Sequence, residues 1–145
     1  MEITKIENPS WCGDIKEILL PYSSSFDFKG ITENYPLGYY EWWVIKDADG
    51  VALGVGWLDF DENSFGQKEG EISLCVNIKN HSENVGSTLL SFLEDEIKRR
   101  GVSLTSAVVK KSNPHYQHVV NWFVKKNYIV DSDGEKTTYL IKKGD

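Results

Sequence analysis

The chain has 145 residues, 40% hydrophobic and 12% aromatic, enough for one domain over residues 1–145 with a two- or three-layer core. Its 16 basic and 22 acidic residues leave a net charge of −6 without a basic tract, which argues against a nucleic-acid backbone as ligand and suits a cationic acceptor. No run approaches membrane-spanning length, MEITKIENPS holds no apolar leader core, and Cys12 and Cys75 form neither a disulfide framework nor a zinc spacing, so a reduced cytoplasmic compartment is expected.

Residues 2–6 read as a short strand. Ser10 is expected to cap a helix whose apolar positions Trp11, Ile15, Ile18 and Leu19 share a face and which ends at Pro21. Residues 22–40 are irregular and rich in serine, glycine and aromatics. Residues 41–46 and 51–60 form a hairpin across Asp47-Ala48-Asp49-Gly50.

Residues 71–100, EISLCVNIKNHSENVGSTLLSFLEDEIKRR, then run from a strand through a polar loop into a long helix. Ile72, Leu74, Val76 and Ile78 alternate with Glu71, Ser73, Cys75 and Asn77, while Val85, Leu89, Leu93 and Ile97 fall on one helical face. Lys98, Arg99 and Arg100 crowd the last turn before Gly101, as the helix dipole favours. A helix start after a strand offers unpaired N–H groups and positive potential to an anion. The Walker loop with its lysine and the three-glycine dinucleotide fingerprint are both absent, which argues against those nucleotide sites.

Residues 102–110 are a further strand. Residues 115–126 form a second amphipathic helix with Val119, Phe123 and Trp122 inward, and residues 128–131 and 137–141 close the chain as a hairpin around Asp133-Gly134. Helices alternating with strands between two hairpins imply an α/β (α+β) fold on a mixed sheet, antiparallel in its first half.

The run V-N-I-K-N-H-S-E-N-V-G-S-T-L-L, residues 76–90, resembles the signature of the GNAT superfamily of acyl-CoA-dependent N-acyltransferases. Gly86, Ser87, Leu89 and Leu90 match it; His81 stands where the family has arginine or glutamine, and Asn84 where it has its first glycine. The resemblance extends to element order over nearly the whole chain. It implies the single-domain GNAT fold, a mostly antiparallel mixed sheet flanked by helices, with the strand of residues 71–78 splayed from that of 102–110. Acetyl-CoA is then the implied co-substrate. Its pantetheine arm would enter the splay and bond to backbone around Leu74, Cys75 and Val76. Its pyrophosphate would rest on His81, Ser82, Glu83, Asn84, Val85, Gly86 and Ser87, with Asn113 a further contact. Asn84 could supply the left-handed backbone of the missing glycine. Lys79 and a protonated His81 could offset the Glu83 carboxylate; alternatively His81 and Glu83 are solvated loop residues and Asn84 an N-cap.

Acyl transfer to an amine needs the neutral base. A lysine-like amine titrates near ~10.4, so neutralising it costs about 4–5 kcal/mol at pH 7, and a carboxylate in the cleft can accept that proton. Glu71 is the expected base, since E-I-S-L-C resembles the strand of histone-type GNAT enzymes that carries a glutamate base; Glu69, Asp59 and Asp61 compete. Backbone N–H near Val76 would polarise the thioester oxygen. Where the family places a tyrosine that protonates the leaving thiolate, counting back from Asn127-Tyr128 lands on Phe123. Tyr116 is then the expected proton donor, with His115, His118 or solvent as alternatives. Cys75 as a covalent nucleophile is a further alternative, against which stands the inertness of a buried strand thiol.

Tyr35, Tyr39, Tyr40, Trp42, Trp43 and Trp57 with Asp59, Asp61 and Glu62 could wall a cleft for a cationic amine, although strand aromatics are also ordinary core. Two functions follow. One is N-acetyl transfer from acetyl-CoA to a primary amine of a small molecule, protein or peptide, by a monomer or homodimer. The other is a GNAT-fold module that binds acyl-CoA or a protein without catalysis.

Overall fold

The computed structural model describes residues 1–79 and 83–144. Its elements are β1 (Glu2–Lys5), α1 (Gly13–Leu19) continued by a 3-10 turn (Leu20–Tyr22), β2 (Glu41–Lys46), β3 (Ala52–Glu62), β4 (Lys68–Val76), α2 (Glu83–Arg99), β5 (Leu104–Lys110), α3 (Tyr116–Lys125), β6 (Ile129–Asp133) and β7 (Thr137–Lys143). The strands form one seven-stranded sheet in the order β1-β2-β3-β4-β5-β7-β6. Every neighbouring pair is antiparallel except β4 and β5.

Two cores cover the two faces of this sheet. On one, α2 and α3 bring Val85, Leu89, Leu93, Ile97, Val120 and Phe123 onto Leu58, Ile72, Ala107 and Leu140. On the other, α1 and residues 22–40 bring Ile15, Ile18, Phe28 and Leu37 onto Trp42, Val55, Trp57 and Cys75. Adjacent Trp42 and Trp43 serve opposite faces, as the period of a strand requires. The helix ends are set by backbone geometry. Gly101, at φ +76°, closes α2 with the Val102 N–H reaching the Ile97 carbonyl at 3.3 Å. Asn127, at φ +73°, closes α3 in the same way through Tyr128 and Phe123 at 3.1 Å.

Three local expectations are corrected. Ser10 does not cap α1, whose first flanking residue is Cys12. The backbone of residues 9–11 is instead committed across the loop, with Trp11 N–H donating to the Tyr35 carbonyl at 2.8 Å and Asn34 N–H to that of Trp11 at 2.9 Å. On α3 Phe123 is buried and Val119 and Trp122 pack partly buried against the core as expected, but the inward face is wider than expected, because Val120 is buried as well. Asn84 lies inside α2 with no positive φ, so no left-handed residue is needed there.

Candidate active site

The parallel ladder between β4 and β5 is short. It pairs Glu69 with Leu104, Gly70 with Thr105 and Glu71 with Ser106, and then the strands part. On its other edge β4 stays paired with β3 as far as Val76. Asn77 N–H donates to the Leu53 carbonyl at 2.7 Å, and antiparallel alternation then turns the backbone groups of Cys75 and Ser73 toward β3 as well. The groups of Ile72, Leu74 and Val76 point the opposite way, toward the side that β5 has left. A sheet edge opened inside a domain is a ready hydrogen-bonding template for an extended ligand.

A cavity of about 50 Å³ lies in this fork, between Ile72, Ser73 and Leu74 of β4 and Val108 and Lys110 of β5, with Phe123 of α3 and Ser25 of the 22–40 segment at its walls. Asn113 also lines it, its Oδ1 accepting from the His115 N–H at 2.8 Å and so opening α3. Cys75 does not belong to this edge. Its backbone faces β3, and its thiol lies 3.8 Å from the Ile18 carbonyl, where burial pushes its pKa up to about 12. It is therefore neither a contact in the fork nor a nucleophile at neutral pH.

Glu71 sits at the crotch of the fork, the last β4 residue that β5 still pairs. Register places Asp59 directly opposite it on β3, and Asp61 opposite Glu69. All four carboxylates share the sheet face of residues 22–40, and among the described residues none is within salt-bridge distance of a cation. Burial first, and then repulsion from Asp59, Glu69, Asp61 and Asp27, raises the Glu71 pKa to about 7. Burial and the Asp61 and Glu69 charges also raise that of Asp59. Glu69 is occupied as an acceptor, with the Tyr139 hydroxyl donating to it at 2.7 Å. Tyr40 closes this side, its own pKa raised by burial and then by Asp59, Tyr39, Glu71 and Asp27. The tryptophans do not line the cleft, because Trp42, Trp43 and Trp57 are core. Tyr35 and Tyr39 are exposed.

Tyr116 is not among the residues that line the cavity. Its hydroxyl is hydrogen-bonded to that of Thr138, which donates to Asp133 Oδ1 at 2.9 Å, and the residue packs with the α2–α3 core. The residues of α3 that reach the cavity are Val119 and Phe123, neither of which carries a proton to give.

At the start of α2, Asn84, Val85, Gly86 and Ser87 are described, while the expected contacts His81, Ser82 and the Glu83 side chain lie outside the described residues. Val85 is core. A methyl at Gly86 would meet Trp122 and Val76 only at 3.5 and 3.7 Å, so no protein contact demands glycine there. Ser87 accepts a hydrogen bond from Lys126 Nζ at 2.8 Å. Lys126, which sequence reasoning missed, brings a cation from the end of α3 to this helix start. Nothing in its local pattern marks it, since the meeting with α2 is set by tertiary packing. Lys79 lies 4.0 Å from Glu17 instead.

Comparison with protein-family models and with curated proteins finds no match. Solved structures do resemble the chain. The protein smu.2055 from Streptococcus mutans UA159 aligns over 99% of this chain and 99% of its own, with a TM-score of 0.72 at 14% identity. A Bacillus subtilis acetyltransferase in complex with CoA aligns over 97% of both chains, with a TM-score of 0.71 at 16% identity. The GNAT domain of S. lividans PAT covers 72% of this chain and 61% of that one, with a TM-score of 0.60 at 16% identity. The fold is that of the GNAT acetyltransferases. At these identities the likeness speaks for the fold alone.

Proposed function

We propose that the chain is an acetyltransferase that moves an acetyl group from acetyl-CoA to a primary amine by direct attack. The observation that carries this reading is the fork itself: an unpaired β4 edge at Leu74 and Val76, and at its crotch a carboxylate whose pKa of about 7 suits proton transfer near neutrality. The residues present fit a CoA arm. The edge offers alternating donors and acceptors, Leu74, Val119 and Phe123 supply apolar walls, and the start of α2 with Lys126 offers amide hydrogens and a cation to a diphosphate. The co-substrate supplies an activated acyl thioester.

Glu71 accepts the ammonium proton, directly or through water, and its negative neighbours hold the amine at the crotch. The Val76 N–H, free of β3, is a donor for the thioester oxygen. Asn84, Gly86, Ser87 and Asn113 stay in the proposed binding set, with Lys126 added; Val85 serves it only by anchoring the helix. Tyr116 is withdrawn as proton donor.

The engagement of Tyr116 by Thr138, together with Phe123, favours a second reading: a GNAT-fold module that binds acyl-CoA without turnover. Thermal stabilisation by acetyl-CoA, followed by thiol release with a panel of amines, separates the two. The transferase reading expects both a shift and amine-dependent release. A shift without release supports the silent module, and no shift at millimolar acetyl-CoA contradicts both.

A further inference from the structure

Residues 24–27 cross the fork as a strap tied at three points. Ser112 Oγ donates to the Ser24 carbonyl at 2.7 Å, Lys110 pairs with Asp27, and Phe26 meets Trp57 edge-on with ring centroids 5.1 Å apart. The strap is thereby pinned between β3 and the far end of β5. Ser25 lies between these ties, only 7% exposed and lining the cavity, and its Oγ has no hydrogen-bond partner among the described residues. A buried hydroxyl left without a partner lowers stability, so one held in place at a cleft calls for an occupant of that cleft.

The other polar groups at the cavity are differently placed. Lys110 is paired with Asp27, Asn113 accepts from the His115 amide, and Ser73 is open enough for water to satisfy it. We propose that Ser25 donates a hydrogen bond to the CoA sulfur at the fork, a part that Phe123 cannot take and from which Thr138 holds Tyr116. The proposal rests on the acetyltransferase reading.

The amine nitrogen bonds to the acetyl carbon while the carbon–sulfur bond breaks, and that electron pair leaves on sulfur. The substrate ammonium loses two protons: one passes to Glu71 and on to water, and the other ends on sulfur. Ser25 keeps its own proton and stabilises the sulfur by hydrogen bonding as negative charge builds there.

The test is a calorimetric titration of the wild-type protein and of Ser25→Ala with CoA and with desulfo-CoA, the analogue lacking the sulfur. The wild type is expected to bind CoA about three- to tenfold more tightly than desulfo-CoA, as a hydrogen bond of ordinary net strength gives. Ser25→Ala is expected to bind the two within about twofold, with desulfo-CoA affinity unchanged and an apo melting temperature no lower than wild type. Equal discrimination by both proteins, or none by the wild type, overturns the role of Ser25 and leaves the acetyltransferase reading standing. Failure of the wild type to bind either compound overturns both.

Discussion

Glu71 owes its proposed role to three strands meeting around one carboxyl group. β3 sets Asp59 opposite it, β5 stops pairing beside it, and among the described residues no cation lies within salt-bridge distance of Glu71, Asp59, Asp61 or Glu69. Ionisation is therefore opposed by burial and by like charge, and the ordinary carboxylate value of 4.5 rises to about 7. The active form of a base is the carboxylate, so amine-dependent turnover should rise with pH to a plateau with a midpoint near 7. Glu71→Gln should lower kcat by at least about a hundredfold with little change in acetyl-CoA affinity. The same shift has a sign for stability. Between pH 4.5 and about 7 the folded state keeps a proton that the unfolded chain has released, so the wild type loses stability as pH rises through that window. Glu71→Gln should thus be more stable than wild type at about pH 8, by up to about 3 kcal/mol, and no more stable at about pH 4. Equal melting differences at both pH values would contradict this origin of the shift.

At the scale of elements, α2 seats on the sheet because β3 and β4 present glycine beneath it. A Cβ at Gly70 would stand 2.7 Å from Ile97 Cδ1, and one at Gly56 would stand 2.7 Å from Leu93 Cδ1. Gly70→Ala should therefore force α2 outward and lower unfolding free energy by about 1–3 kcal/mol in urea titration. Unchanged stability would mean that α2 has room to shift. The elements themselves were largely legible. The Ile72-Leu74-Val76 alternation, the Val85-Leu89-Leu93-Ile97 stripe and the Asp47–Gly50 turn are local patterns, and each appears where its period puts it, whereas Ile78, expected to continue the strand, lies beyond the end of β4 and is exposed. The misses trace to partners distant in sequence. Ser10 has the chemistry of a cap, yet pairing of Trp11 with Asn34 and Tyr35 holds the chain extended there. Val120 was not foreseen as core beside Val119, because only packing against the sheet makes the inward face of α3 wide enough to bury it too.

For the whole molecule, the fork is the product of one parallel pairing that ends early inside an otherwise antiparallel sheet. No periodicity in β4 or β5 announces where such a pairing stops; the splay was legible only through the family resemblance of residues 76–90. The same limit hid the orphaned Ser25 hydroxyl, the approach of Lys126 to Ser87, and the diversion of Tyr116 to Thr138, all of which join segments far apart in sequence. Glu71 was legible as a residue, but its neighbours Asp59 and Asp61 became so only through strand register. Everything proposed for function depends on the unpaired edge of β4 receiving a CoA arm. Amide chemical-shift mapping with acetyl-CoA tests this directly. The account predicts the largest changes at Leu74, Val76 and residues 84–87, with smaller ones at Ser25 and Asn113. Saturable binding that leaves the amides of Leu74 and Val76 unmoved would contradict it.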